Sequence, residues 1–401
     1  MAAVQKKAYY DASKVRREAR GRWLEILTYM VGDRLESALS KRPGKRVTCP
    51  VHGTSNKNGI GDGFRFFKDV VDTGGGLCNT CGTYHDGFDL IHWLTGQEFR
   101  ETLNQIAEYL RVEPETPGDP NQEKVVPISR LTPVRIAEIK ALQEKAKAGL
   151  QADSQKANEN IQRVWRESVS LIDGLPNPLF CYFKYRGVLL RKEQMVTGDH
   201  IRYHSELPYY DEDEEGNLEM IGKYPAIIAA IRDLNGDIIT LHRTYLEPSG
   251  CKAEVRSARK MMAIPANKKV TGAAIQLGGF PADGVLGVSE GLETAMSIMK
   301  VYQVPTWSLV NTTLLENFIP PEGLKTLLIW ADKDKKQGGQ SAAQALQEAL
   351  QPTGIDVHIL LPQRPVIGKS VDWNDILVKE GVFGFPAHNY MSRITQGTLS
   401  A

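Results

Sequence analysis

The sequence predicts a multidomain α/β protein, built from a small cysteine-containing ribbon, a mixed α+β region and a mainly parallel α/β domain. Three observations predict this class. Two short pairs of Cys and His residues lie 25 residues apart near the N-terminus, two apolar runs flank Asn235-Gly236, and apolar runs alternate with helical segments from Gly284 onward. Alternation of short apolar runs and helices is typical of a parallel sheet covered on both faces. The 401 residues suffice for two or three such domains.

The cysteine pattern indicates a structural zinc site. Cys49-x2-His52 is followed 25 residues later by Cys78-x2-Cys81. Each pair forms a tight knuckle, and soft thiolates with one imidazole suit a closed, tetrahedral Zn²⁺ site. Two nearby histidines, His85 and His92, are alternatives to His52. The two remaining cysteines, Cys181 and Cys251, are expected to be ordinary thiols.

The residues around these pairs predict a ribbon packed against helices. Residues 63–67 alternate like a strand, and Asp86 to Leu94 reads as a helix. A second helix has one apolar face, formed by Phe99, Leu103, Ile106, Ala107 and Leu110. The zinc-ribbon domain with its flanking helices is predicted to span residues 1–112.

A linker and a long helix are predicted next. Four prolines among polar residues indicate a linker over residues 113–130. Thr132-Pro133 then opens a polar helix, which predicts a helical spacer over residues 131–170. In the mixed region, residues 171–270, we expect strands at Ala226 to Ile231 and Ile238 to Leu241, joined by a hairpin turn at Asn235-Gly236.

Positive charge is concentrated locally, although the net charge is only +1. Residues 1–46 contain 12 Lys and Arg against 5 Asp and Glu, and residues 242–270 contain 7 against 2. An acidic loop, residues 211–215, offsets much of this. The cations that end the second strand and follow it suit a nucleic-acid backbone or a triphosphate: Arg243, Lys252, Arg256, Arg259 and Lys260. A solvated basic face is the alternative for any single cluster.

Acidic residues follow the predicted strands of the last domain. We expect these strands at 285–289, 306–310, 326–331 and 356–361, with Glu290 after the first and Asp332 and Asp334 after the third. The carboxyl ends of parallel strands share one crevice, so these acids converge and repel one another unless a cation lies between them. Mg²⁺, or Mn²⁺ in its place, prefers such oxygen ligands and supports chemistry on phosphates.

A solvated or helix-capping acid is the alternative for each of these residues alone. A third acidic cluster in the same strand-helix alternation, Asp372-Trp373-Asn374-Asp375, favours the metal site instead.

The two halves together resemble the bacterial and phage DNA primases, in particular the phage- and plasmid-type enzymes that combine a zinc ribbon with a Toprim domain. The resemblance covers roughly residues 45–377. It is carried by Cys49-Pro50-Val51-His52-Gly53, Cys78-Asn79-Thr80-Cys81-Gly82, residues 237–246, Arg259-Lys260-Met261-Met262, residues 287–295 and residues 372–377. It implies a basic primase subdomain over 171–270, a Toprim domain with a four-stranded sheet over 271–380 and a C-terminal tail over 381–401.

The resemblance also implies a function and roles for the residues. The function is synthesis of RNA primers on single-stranded DNA from ribonucleoside triphosphates with Mg²⁺. Glu290 would activate the primer 3′-hydroxyl or hold a metal, and Asp332 and Asp334 would hold Mg²⁺ against the triphosphate. The basic segment would hold template or incoming nucleotide, with Arg243, Lys252 and Lys260 at matching positions and Arg256 and Arg259 beside them. The zinc ribbon would help to select the start site.

The sequence departs from the family pattern at two places near the site. The loop after Asp334, residues 335–339, is about one residue longer than usual, and no glycine follows Ser308-Leu309-Val310. These departures concern the fine geometry rather than the class.

Partners, location and alternatives complete the expectations. No helicase follows the Toprim domain, so a separate replicative helicase is expected. No stretch is apolar enough for a bilayer or a signal peptide, which predicts a cytoplasmic protein of a bacterial host cell without membrane contact. The alternatives are a Toprim nuclease or strand-breaking enzyme, and a non-catalytic single-stranded-DNA-binding replication protein. The three retained acids argue against the second, because buried unpaired acids are costly without a metal.

Overall fold

The computed structural model describes residues 9–53, 63–116, 132–191, 193–194, 198–212, 218–280 and 282–396. Most of the predicted linker and part of the predicted acidic loop therefore lie outside the described residues. The chain divides into two compact units, residues 1–151 and 152–401. None of the helices in the described ranges combines the length and the apolar character that crossing a membrane requires.

The first unit contains a three-stranded antiparallel ribbon and several helices. The ribbon has the order β1-β2-β3, with β1 at Phe64–Phe66, β2 at Gly76–Cys78 and β3 at Gly82–Tyr84. Its helices are α1 (Ala12–Ala19), α2 (Trp23–Leu39), α3 (Val70–Thr73), α4 (Gly87–Thr95) and α5 (Phe99–Leu110). The predicted ribbon strand and the two helices that follow it are confirmed. Helix α6 (Pro133–Glu167) confirms the predicted long helix, whose first part, residues 133–151, belongs to this unit.

The core of the first unit forms where the apolar faces of the helices meet the ribbon. Trp23 at the start of α2 is buried and packs edge-on against Phe88 of α4, with ring centroids 5.2 Å apart. Gly87 permits this contact, because a Cβ at Gly87 would lie 2.1 Å from the Trp23 ring. A glycine at the first position of α4 therefore fixes how closely α2 and α4 approach.

The second unit begins with a five-stranded antiparallel sheet of order β4-β5-β6-β7-β8. The strands are β4 (Val169–Ser170), β5 (Ile201–Glu212), β6 (Leu218–Arg232), β7 (Ile238–Tyr245) and β8 (Arg259–Met261), and α7 spans Asn177–Tyr185. The two predicted strands lie within β6 and β7, and the predicted turn is present, with Gly236 at φ 87°. Strand β5 was not predicted. Its apolar residues are interrupted by two register shifts, one of them between His204 and Leu207, which obscure the alternation.

The second sheet of this unit confirms the predicted four-stranded parallel sheet. Its order is β10-β9-β11-β13, and every pairing is parallel. The strands are β9 (Val285–Ser289), β10 (Thr306–Ser308), β11 (Thr326–Trp330) and β13 (Asp356–Leu360). The helices are α8 (Leu292–Tyr302), α9 (Thr312–Glu316), α10 (Gly338–Leu350), α11 (Trp373–Glu380) and α12 (His388–Thr395). Strands β9 and β11 are buried along their whole length, as expected for central strands covered on both faces.

Two short strands extend this domain beside the parallel sheet. Strand β12 (Lys333–Asp334) pairs antiparallel with β14 (Ser370–Val371), which ties the loop after β11 to the segment before α11. Residues 381–396, predicted as a tail, form a short 3₁₀ helix followed by α12. The side chains of Phe385, Met391 and Ile394 are buried in the same core as Trp373, so this segment is part of the folded unit.

A pair of glycine substitutions tests the packing of the first unit. Gly87→Ala should lower the free energy of unfolding by about 2 kcal/mol, because the new methyl group overlaps the buried Trp23 ring. Gly149→Ala in α6 is the control, because nothing lies within 4 Å of its added Cβ and alanine favours helix by up to about 1 kcal/mol. Denaturant unfolding measures both; a Gly87→Ala protein as stable as the parent would contradict the packing described.

Candidate functional site

The four predicted zinc ligands lie together in the first unit. Their ligand atoms all lie within 4.8 Å of one another. The Cys49 and Cys81 sulfurs are 3.9 Å apart, and His52 Nε2 lies 3.2 Å from Cys78 Sγ. Strand pairing brings the two knuckles together, because Cys78 ends β2 opposite Phe64 of β1. The group contains His52 and neither of the two alternative histidines; His92 Nδ1 instead lies 2.7 Å from the Gln97 carbonyl.

The electrostatics of this group suit a bound cation. Burial disfavours the Cys78 thiolate, but hydrogen bonds from the Cys81 backbone and from His52 outweigh burial and lower the pKa of Cys78 to about 7. Burial and the neighbouring sulfurs of Cys78 and Cys49 raise the pKa of Cys81 to about 12. Thiolates this close repel one another unless a metal lies between them. Three sulfurs and one imidazole nitrogen are the donor set of structural Zn²⁺, so the residues fit the metal.

The three predicted carboxylates follow the carboxyl ends of the parallel sheet. Glu290 comes directly after β9, Asp332 is the second residue after β11, and Asp334 lies in β12. Strands β9 and β11 are neighbours, with Ser289 opposite Trp330. The acids are close enough to act on one another, because Glu290 contributes to the raised pKa of Asp332 and Asp334 contributes to that of Glu290.

The charged form of Asp332 is strongly disfavoured. Burial, followed by the charges of Asp372 and Glu290, raises the pKa of Asp332 to about 8. Its Oδ1 is buried and has no hydrogen-bond partner among the described residues. Burial and then Asp334 raise the pKa of Glu290 as well. A buried carboxylate oxygen without a donor, surrounded by further carboxylates, fits a divalent cation with oxygen ligands.

The environment of Asp334 is different and favours its ionised form. The backbone N–H groups of Lys336 and Gly339 donate to its two oxygens at 2.7 and 3.1 Å, and such bonds at the start of α10 lower its pKa. Gly339 is required here, because a Cβ would lie 2.6 Å from the Asp332 carbonyl oxygen. Asp334 is therefore a fixed anion at the rim of the cluster.

Asp372 is the N-cap of α11, and Asp375 lies in its first turn. Asp375 N–H donates to Asp372 Oδ1 at 2.7 Å, and the two residues form a reciprocal capping box. Capping therefore accounts for these two acids, although Asp372 also adds negative charge near Asp332. In the described ranges only the Cys and His group places three or more possible ligand atoms within 4.8 Å of one another. The carboxylates do not form such a group.

The backbone has an unusual conformation near both places where the sequence departs from the expected pattern. Val310, the residue before the position where a glycine was expected, has φ 67°, a left-handed conformation that costs a β-branched residue on the order of 1–2 kcal/mol. In the longer loop after Asp334, Gln337 has φ 59°. Left-handed backbone of the kind that glycine adopts freely is therefore present at both places.

The predicted cations divide into two sets. The first set is near Asp211, whose Oδ1 lies 3.5 Å from Lys260 Nζ and 3.9 Å from Arg256 Nη1. Strand pairing places Arg243 of β7 opposite Lys260 of β8, and the Arg243 guanidinium donates to the Tyr245 hydroxyl at 3.0 Å.

The second set surrounds Glu293. Arg259 Nη2 donates to Glu293 Oε1 at 2.6 Å, and Lys252 Nζ lies 3.8 Å from the same oxygen. Arg259 also lowers the pKa of Glu290 and of Asp332, although burial outweighs its effect at both. Of the predicted cations, Arg259 is thus coupled directly to the acidic cluster.

Sequence reasoning missed three residues of this site. Glu293 is a buried carboxylate in the first turn of α8, a position where a surface acid is common. The Tyr182 hydroxyl donates to it from α7. Arg186, at the end of α7, acts on the pKa of Lys252 and of Asp372. The apolar neighbours of Glu293 in α8 were the one available signal, because residues 292–299 of this helix are all buried.

Three family descriptions match successive parts of the chain. Residues 44–88 match the zinc-binding domain of primase-helicase, residues 155–272 match a domain of unknown function, and residues 285–382 match the Toprim domain. The chain therefore carries a zinc-binding ribbon of the primase-helicase type followed by a Toprim domain, as the resemblance predicted. No curated protein matches the chain.

Solved structures of primases are similar to the chain at low identity. A DNA primase domain from Pseudomonas aeruginosa is 16% identical over 47% of this chain and 56% of that one, with a TM-score of 0.31. The zinc-binding and RNA polymerase domains of Aquifex aeolicus primase are 13% identical over 96% and 84%, with a TM-score of 0.36. The primase fragment of the bacteriophage T7 primase-helicase is 13% identical over 49% and 70%, with a TM-score of 0.32. The chain spans just over half of the first structure, and similarity at this level carries no information on activity.

Replacement of one thiolate tests the zinc site. Cys78→Ser should lose about one zinc per chain and loosen the first unit, because a serine hydroxyl does not replace a thiolate ligand. Cys181→Ser is the matched control, since Cys181 lies outside the ligand group. Zinc content is measured by elemental analysis of the purified proteins. Full zinc content in Cys78→Ser would refute the ligand set.

Magnesium and pH should act together on the stability of the second unit. Burial raises the pKa of Asp332 from 3.8 to about 8, so the folded state keeps a proton that the unfolded chain releases. The metal-free protein therefore loses stability as pH rises between these two values. A bound cation replaces the proton, so Mg²⁺ should raise the melting temperature more at about pH 8.5 than at about pH 6.5.

The Asp332→Asn variant is the control for this measurement. Asparagine has no proton to exchange, so the variant should show little dependence of the Mg²⁺ effect on pH. Thermal unfolding of both proteins with and without Mg²⁺ provides the comparison. Equal Mg²⁺ shifts at the two pH values in the parent protein would contradict the buried, cation-binding role of Asp332.

Proposed function

We propose that the chain is a DNA primase that synthesises short RNA primers on single-stranded DNA by magnesium-dependent nucleotidyl transfer. The observation that carries the proposal is the half-buried carboxylate cluster at the end of the parallel sheet, with Arg259 acting on the pKa of both Glu290 and Asp332. A cation site next to fixed positive side chains is suited to a triphosphate. The primase-type zinc ribbon and the Toprim domain in one chain support the same reading.

Glu290, Asp332 and Asp334 are the residues that would hold Mg²⁺, with Mn²⁺ as a substitute. The ion, when bound, neutralises charge on the triphosphate and on the departing pyrophosphate. Asp334 is held by backbone N–H groups and supplies a preorganised anion. Asp332 contributes the buried oxygen that lacks a donor, and it would hold the cation in its deprotonated form.

The chain's side chains would position the reaction and accept its proton. The 3′-hydroxyl of the primer attacks the α-phosphate of the incoming nucleotide, and pyrophosphate leaves. If Glu290 does not bind the ion, it can instead accept the hydroxyl proton, because its raised pKa makes it a stronger base than an exposed glutamate. Arg259 and Lys252 would hold the phosphates in line for this displacement. Transfer of this kind depends mainly on positioning and charge neutralisation.

The remaining cations and the zinc ribbon would bind the template. Arg243 of β7 lies opposite Lys260 of the edge strand β8, and with Arg256 these two cations would form a basic edge of the antiparallel sheet. Such an edge suits the backbone of single-stranded DNA. The zinc ribbon would select the start site, and a separate replicative helicase in the bacterial cytoplasm would supply unwound template.

Two carboxylate variants test this function. Glu290→Gln and Asp332→Asn should each reduce primer synthesis by at least about a hundredfold, because each removes a charge that positions the reaction. Binding of single-stranded DNA should remain nearly unchanged, because the basic edge is intact. The control is Glu348→Gln, which changes an exposed acid on α10 and should leave synthesis unaffected.

The assay follows labelled ribonucleotides on single-stranded templates with Mg²⁺. Short RNA products from the parent chain, lost in both variants, are the expected result. Unchanged primer yield from both variants would refute the site. Cleavage of the DNA instead of synthesis would identify a nuclease, and DNA binding without either activity would identify a non-catalytic module.

A further inference from the structure

The carboxylate of Glu293 is buried three residues after Glu290, in the first turn of α8. Only 4% of Glu293 is exposed, so neither a substrate nor a metal reaches it from solvent. It nevertheless has three partners from outside its own helix. The Tyr182 hydroxyl donates to it from α7, Arg259 Nη2 donates to it from β8 at 2.6 Å, and Lys252 Nζ lies 3.8 Å away.

Glu293 is a permanent anion in this environment. Burial disfavours its charge, but Arg259 and then Lys252 outweigh burial and lower its pKa to about 2. His242 lies in the same region and is neutral, because burial lowers its pKa to about 4. The charge of Glu293 is therefore balanced by Arg259 and Lys252. A buried carboxylate requires such partners, since an unpaired buried charge is strongly destabilising.

Arg259 differs from Glu293 in its exposure. The side chain of Arg259 is 42% exposed, while its Nη2 is held by the buried carboxylate. A guanidinium has five N–H donors in a rigid plane, so fixing one edge orients the other. The charge of Arg259 reaches the acidic cluster, because it acts on the pKa of Glu290 and Asp332, although burial outweighs it at both.

We propose that Glu293 is a positioning residue that clamps one edge of the Arg259 guanidinium, so that the other edge faces the phosphates of a nucleoside triphosphate at Glu290, Asp332 and Asp334. The inference rests on the proposed function for the location of the triphosphate. Glu293 touches no substrate and acts through Arg259. Glu290 directly follows β9, and Glu293 lies in the first turn of α8. This single strand–helix connection therefore sets the distance between the acids and the guanidinium.

Equilibrium binding of ATP tests this role without turnover. The full chain is measured with Mg²⁺ and without template. Glu293→Gln should raise the Kd for ATP about tenfold, because Arg259 loses the charge that orients it. The Kd for single-stranded DNA should stay within about twofold, which general damage to the fold would not allow. Glu380→Gln is the control; it breaks the Arg364–Glu380 ion pair, which involves none of these residues, and should leave both affinities unchanged.

A double-mutant cycle shows whether Glu293 acts through Arg259. In an Arg259→Gln background, Glu293→Gln should cause no further loss of ATP affinity, since the residue it positions is gone. If Glu293→Gln does not fold, Arg259→Lys provides the test. Lysine keeps the positive charge but lacks the planar guanidinium, so the Kd for ATP should also rise about tenfold. Parent-like ATP affinity in folded Glu293→Gln or in Arg259→Lys, or effects that add in the double variant, would overturn the proposal.

The outcomes separate this inference from the proposed function. If the parent binds ATP, Glu293→Gln weakens it and no primers form, the positioning role stands and the primase function fails. If primers form and Glu293→Gln leaves the KM for ribonucleotides unchanged, the function stands and the positioning role fails. If the parent chain binds no ATP with Mg²⁺, both are overturned.

Discussion

Repulsion among carboxylates at the end of the parallel sheet is the constraint on which the second unit depends. Parallel pairing of β9 and β11 brings Glu290 and Asp332 to one edge, and Asp372 adds a third charge from the start of α11. Burial raises the pKa of Asp332 and leaves one of its oxygens without a donor. The fold keeps this arrangement either with a proton on Asp332 or with compensating positive charge, which a divalent cation and Arg259 would supply together.

The surrounding elements shift the pKa values of the acids in different directions. Backbone N–H groups at the start of α10 hold Asp334 as an anion, while burial makes Glu290 more basic. The same principle applies in the first unit, where three cysteine sulfurs and one imidazole nitrogen are brought within 4.8 Å of one another. In both places the backbone fixes groups that repel one another in the absence of a cation, so metal binding and local structure are coupled.

Features that depend on local spacing could be predicted from the sequence. The paired Cys and His spacings indicated the zinc group, and short apolar runs indicated each parallel strand to within about two residues. Features that depend on distant partners could not be predicted. Tyr182 and Glu293 are separated by 111 positions, so no window of sequence relates them. Strand β5 was missed because its register shifts obscure the alternation, and helix α12 was missed because only two of its residues, Met391 and Ile394, are buried in the core.

Anomalous diffraction from crystals grown with Mn²⁺ and a ribonucleoside triphosphate tests the central claim most directly. The account predicts a manganese peak bonded to Asp332 and to Glu290 or Asp334 at about 2.0–2.2 Å, with triphosphate oxygens beside Arg259. The zinc peak at Cys49, His52, Cys78 and Cys81 serves as an internal control in the same crystal. A clear zinc peak with no manganese at the carboxylates, or a triphosphate bound away from them, would contradict the account.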